Sequence, residues 1–160
     1  MQIRIRETGA VMYESELRSY LRANDGPSYD QLTPEVMEAI GVDAVLEGPQ
    51  ASGGTVYQYS QAAGVEQLEG KWYTKYILGP VFTDGETTAA EQETAYKAMK
   101  DAEQAKSVRA SRNDKLKDCD WTQITDSTAD KDAWAAYRIA LRELPDQTGF
   151  PWTITWPDAP

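Results

Sequence analysis

Asp118, Cys119 and Asp120 stand in a row, and Asp126, Asp130 and Asp132 follow soon after. A thiol could attack a substrate or bind a metal, and paired carboxylates could share a proton or hold a hard cation. The rest of the sequence withdraws each possibility. The chain has no histidine, so neither a Ser-His-Asp nor a Cys-His arrangement can form, nor a histidine-based zinc site. Carboxylate neighbours disfavour a thiolate, which leaves Cys119 a structural or incidental role. Asp118-x-Asp120 with Asp126 lacks the spacing and central glycine of a calcium loop. Gly53-Gly54 leads into a strand pattern with no Lys-Ser/Thr behind it, unlike a phosphate loop. These acids read as helix caps and solvated faces. No catalytic residue, cofactor or metal ligand is expected, and the chain is not expected to be an enzyme.

The composition narrows the class further. The chain has 160 residues and a formal net charge of −10, with five Trp, nine Tyr and only two Phe. Mean hydropathy is low at −0.62. Trp and Tyr must therefore supply most of the large buried surface, and each brings a polar atom that wants a partner. The acidic balance argues against nucleic acid, which demands clustered Lys and Arg, and against an anionic membrane surface. Lys106, Arg109, Arg112, Lys115 and Lys117 are the local exception, a run that would complement the negative end of a helix dipole. A single cysteine excludes an internal disulfide. No signal peptide or membrane span is evident, so the protein is expected in the cytosol, or in a particle assembled there.

Residues 1–80 read as a small α+β domain with a sheet of three to five mostly antiparallel strands. Met1 to Arg6 alternates as a half-buried strand, and Ala10 to Tyr13 can pair back on it. Ser15 is placed to cap a short helix with Leu17 and Leu21 on one face. Thr33-Pro34 opens a second helix that Gly41 closes. Val42 to Leu46 and Thr55 to Gln61 read as strands, and Glu69-Gly70 turns a hairpin between residues 65 and 78. Residues 81–87 form a linker.

Thr88-x-x-Glu91 is a capping box at the head of a long helix over 88–118. Its apolar stripe is weak, so it is either a solvated spacer or a face completed by a partner, packed along another chain. Ser111 to Asp114 is a candidate fray point. Residues 119–160 form a last module. Asp120-Trp121-Thr122 makes a corner, and Ser127-x-x-Asp130 caps a helix whose seam is Trp134, Tyr137, Leu141 and Leu144. Arg138 and Arg142 lie four apart beside that seam, placed to grip Asp120 or Asp126 or to cover the indoles. Phe150, Trp152, Ile154 and Trp156 then alternate with small residues in an extended aromatic tail.

This last stretch resembles the phage tail assembly chaperone family. The pattern consists of the basic helix end with Arg109 and Arg112, the corner Asp120-Trp121-Thr122, and the helix Trp134-x-x-Tyr137-Arg138-x-x-Leu141-Arg142. Gly149-Phe150-Pro151, Trp156-Pro157 and Pro160 complete it. Asn113 and Cys119 depart from residues common in the family. The resemblance implies a phage protein that assists tail or tail-fibre assembly by binding fibre or tail subunits. The alternative is a tail-fibre or baseplate component retained in the virion. Either way Arg109, Arg112, Asp120, Trp121, Trp134, Tyr137, Arg138, Leu141, Arg142, Phe150, Trp152 and Trp156 would form the module core or its interaction surface. The expected partners are phage tail proteins, with a homo-oligomer through the long helix as a further possibility.

Overall fold

A computed structural model describes all 160 residues. The chain is α+β and divides into two compact units, Met1–Val81 and Phe82–Pro160.

The first unit is a five-stranded sheet. Its strands are β1 (Gln2–Ile5), β2 (Val11–Tyr13), β3 (Val42–Leu46), β4 (Tyr59–Leu68) and β5 (Lys71–Gly79), in the order β2-β1-β3-β5-β4. All neighbours are antiparallel except β3 and β5, which pair in parallel. Alternation in β1 places Ile3 and Ile5 on the face that meets helices α1 (Glu14–Ala23) and α2 (Pro34–Ala39). There, Ile3, Ile5, Leu17 and Val42 form a buried aliphatic core. Arg6 spans the rim of that core, donating to Asp43 at 2.8 Å and to Glu38 at 2.7 Å. Arg18 holds the loop after α1 by donating to the carbonyls of Tyr29 and Asp30 at 2.7 and 2.9 Å.

Thr33 caps α2 as its sequence predicts, its hydroxyl accepting from the Val36 N–H. The turn between β4 and β5 has positive φ at both Glu69 and Gly70, the geometry that two-residue hairpin loops require. Two expectations need correction. Helix α1 begins at Glu14 after Tyr13, so Ser15 lies inside it; Glu16 reaches back to the Tyr13 N–H instead. The strand read over 55–61 begins only at Tyr59, because Gln58 turns back on Thr55 before the strand starts. That strand then runs without a break, apart from an irregularity between Ala62 and Val65, into what was read as a separate hairpin arm.

The second unit is built on α3 (Ala89–Asp118), 30 residues long and helical through Ser111–Asp114. No fray point forms there. The capping box is present: Thr88 Oγ1 accepts from the Glu91 N–H, and Glu91 accepts from the Thr88 N–H at 2.9 Å. The Thr88 backbone and hydroxyl together hold the Glu91 carboxyl below its ordinary range. The segment before α3 folds onto it. Phe82 packs against Tyr96 at 5.6 Å between centroids, and Gln92 donates to the carbonyls of Thr83 and Thr87. A 3-10 turn at Asp120–Gln123 then leads to α4 (Lys131–Arg142). Its cap is Asp130 and not Ser127: Asp130 accepts from the Ala133 N–H at 3.1 Å, while Ser127 accepts from Ala129 in the turn before. A short carboxylate at the first unpaired N–H groups meets the need directly. No helix is long and apolar enough to cross a membrane.

Candidate protein-interaction surface

The corner between α3 and α4 is organised by one cation. Arg138, on α4, is almost buried, with its side chain 11% exposed. Its Nη1 donates to the Leu116 carbonyl at 2.8 Å and to Cys119 Sγ at 3.0 Å; its Nη2 donates to Asp120 Oδ1 at 2.8 Å. Leu116 lies in the last turn of α3, where carbonyls have no intrahelical partner, so Arg138 satisfies an orphaned acceptor and neutralises the helix end together. Burial pulls the Arg138 pKa down, but the bonds to Asp120 and Cys119 outweigh it and the guanidinium is held charged. Thr122, fully buried, closes the corner by donating to the Cys119 carbonyl at 2.7 Å. Asp126 takes no part in the grip.

Around this cation sits a core of Cys119, Tyr137, Leu141 and Leu144, with Leu116, Trp134 and Trp156 packed against it. The spacing of Tyr137, Leu141 and Leu144 by four and three residues puts them on one stripe of the chain. Leu141 and Leu144 are inaccessible to solvent. Burial also pushes the Tyr137 hydroxyl pKa up. Trp134 is half-buried and meets Tyr137 edge-on at 5.6 Å and Trp121 at 6.0 Å. The three rings form a ladder from the core outward, and Trp121 at its outer end is 53% exposed.

The tail after α4 docks by a turn. Gly149 has a φ of +94°, which a side chain would strain, and its carbonyl accepts from the N–H groups of both Trp152 and Thr153. Gln147 brackets the segment, donating to the Thr155 carbonyl and accepting from the Thr155 N–H, each at 2.8 Å. Beyond the turn the chain has no regular secondary structure. Trp152, Ile154 and Trp156 are half-buried while Thr153 and Thr155 are exposed. The alternation has one exception: Pro151 is buried.

The tail returns its aromatics to α3. Trp152 donates its indole N–H to Asp101 at 2.5 Å, Arg109 lies 5.3 Å over Phe150, and Lys115 lies 5.5 Å over Trp156. Ala105 and Val108 are buried on the same stretch of helix. Arg112 is half-buried and uses Nε and Nη2 on the side chain of its neighbour Asn113.

The structure thus brings ten of the twelve residues picked from sequence into contact within this unit. Arg112 and Arg142 are the exceptions: Arg112 bonds only its neighbour Asn113, and Arg142 is exposed and makes no contact within the chain that would fix it. Sequence reasoning passed over Asp101 and Gln147 as participants; it placed Thr122 in the corner without assigning its bond, and gave Cys119 a structural or incidental role. A tryptophan whose indole must find an acceptor was a signal for Asp101; nothing in the local pattern marked Gln147. No three Cys, Asp or Glu side chains converge as a metal ligand set. The constellation offers a packed corner, an exposed indole, and two cations over aromatic rings.

No curated protein and no solved structure matches the chain. Residues 105–160, from the middle of α3 through the Arg138 corner to the last proline, match the phage tail assembly chaperone protein family.

Proposed function

We propose that the protein assists phage tail or tail-fibre assembly by binding tail or fibre subunits through its aromatic C-terminal module. The family match over 105–160 carries this reading. The half-exposed indole of Trp121 supports it: the ring sits at the end of a rigid aromatic ladder, where interface anchors concentrate. The remaining module residues hold that anchor in place, with Arg138, Tyr137 and Leu141 beneath it. No catalytic role follows from this arrangement, and assembly in the host cytoplasm is the setting that the function requires.

The test is complementation of a phage that lacks the protein, with complete tails counted by electron microscopy. Wild-type protein should restore tails and Trp121→Ser should not, although the variant accumulates as folded protein. Tails of normal number with Trp121→Ser would refute an anchoring role for that ring. Mass spectrometry of purified particles separates the two forms of the proposal: a released chaperone is absent, and a fibre or baseplate component is present in fixed copy number.

A further inference from the structure

Arg109, Arg112 and Lys115 stand out in a chain where acids outnumber bases 26 to 16. Six of the sixteen cations, Arg4, Arg6, Arg18, Lys97, Lys100 and Arg138, reach carboxylates. None of the three does. The helix dipole does not account for them as a set, because its effect fades within the last turn, and α3 runs on to Asp118, beyond the reach of Arg109 and Arg112. At about 100° per residue the three lie within roughly a third of the helix circumference, spread over about 9 Å of its length. By the same geometry Asp114 falls on the far side of α3, while Asp118 lies three residues beyond Lys115, about 60° round the helix from it. Neighbouring like charges on a helix face oppose folding, and within the chain the row is offset by aromatic rings under Arg109 and Lys115 rather than by an ion pair.

The geometry also leaves these cations able to bind. A guanidinium or ammonium over an aromatic face, as Arg109 is over Phe150 and Lys115 over Trp156, is held in position while N–H donors remain available. Arg112, between them in sequence, commits Nε and Nη2 to Asn113 and keeps Nη1. Resting on the tail-assembly reading above, we infer that this cationic edge of α3, floored by the aromatic tail, docks a carboxylate-rich segment of the protein partner. Charge complementarity selects the occupant. Three cations match two or three carboxylates on a peptide, whereas a nucleic acid presents a phosphate about every 1.7 Å and needs many more. The net negative charge of the remainder is no obstacle, since at physiological salt a docked carboxylate feels charges within about 8 Å.

The experiment uses the full chain and two labelled probes, a ten-residue glutamate-rich peptide and a thymidine oligonucleotide of equal charge. Binding is read by fluorescence anisotropy at low and physiological salt. Arg109→Gln/Arg112→Gln/Lys115→Gln is compared with a control that removes the same charge from the first unit, Arg22→Gln/Lys71→Gln/Lys75→Gln. The expected result is peptide binding that weakens at least tenfold in the α3 variant, weakens less than twofold in the control, and exceeds binding of the oligonucleotide. No binding by the wild type, equal losses in both variants, or preference for the oligonucleotide overturns the inference. In the phage assay, failure of this inference is distinct from failure of the functional reading. Normal tails with the α3 variant but none with Trp121→Ser would remove the acidic partner and keep the tail-assembly role.

Discussion

The two units hold themselves together by different means. In the first, β1 and β3 pair beneath α1 and α2, and the core is aliphatic: Ile3, Ile5, Leu17 and Val42. Its charged contacts, such as Arg6 with Glu38 and Asp43, sit on an open rim, where such pairs add little. In the second, helices pack without a sheet, and the rings of Tyr137, Trp134 and Trp156 pack with Leu116, Leu141 and Leu144. Polar groups there are met one by one: the Trp152 indole by Asp101, the end of α3 by Arg138, the tail backbone by Gln147. A ring with a polar tip brings a group that wants a partner, and an aliphatic side chain does not. The consequence is that the second unit can present a ring such as Trp121 at its surface on a stiff support.

That contrast can be broken at graded cost. Leu141→Ala and Ile3→Ala each remove a fully buried aliphatic side chain, and each should destabilise its own unit by about 2–5 kcal/mol in chemical denaturation. Here the units should behave alike. They should part at the next step. Arg138→Met strips an almost buried set of charge-assisted bonds and should cost about 2–3 kcal/mol, whereas Arg6→Met on the exposed rim should cost about 1 kcal/mol or less. Equal losses would mean that the corner does not depend on its cation. Gln147→Ala should cost about 1–2 kcal/mol by releasing both bonds to Thr155. Limited proteolysis should then cut the tail after Thr148 earlier than in the wild type.

Acid should reach both units through their caps. Glu91 is held below its ordinary range by Thr88, Glu35 by its own backbone N–H and Thr33, and Glu38 by Arg6. A carboxylate with a lowered folded pKa stabilises above the unfolded value of about 4.3, and that contribution disappears as pH falls through the folded value. Thermal melts should therefore be flat at neutral pH and fall below about pH 4. Glu91→Gln should reduce the fall in the second unit alone.

Local chemistry made much of this legible from sequence. The caps at Thr33 and Thr88, the turn at Glu69-Gly70, and the seam of Trp134, Tyr137, Leu141 and Leu144 each follow from a few adjacent residues. The grip of Arg138 on Asp120 was visible too, because a tight corner leaves a four-spaced arginine pair few carboxylates to reach. What escaped was non-local. The parallel pairing of β3 with β5 joins strands far apart in sequence, and alternation says nothing about which neighbour a strand takes. The Gln147–Thr155 bracket and the Trp152–Asp101 bond likewise leave no period to read. Arg142 misled for the converse reason: a helix position beside a seam sets where a side chain starts, not what it meets.

Trp121→Ser carries a small expected stability effect and the sharpest meaning. The ring gives up only an edge contact with Trp134, worth about 1 kcal/mol, so the melting temperature should drop by no more than about 8 °C for a unit of this size. Titrating the same preparation with purified tail or tail-fibre subunits completes the measurement. The account predicts a folded protein whose affinity for its subunit has fallen at least tenfold. Unchanged affinity, or a unit that no longer folds, would contradict it.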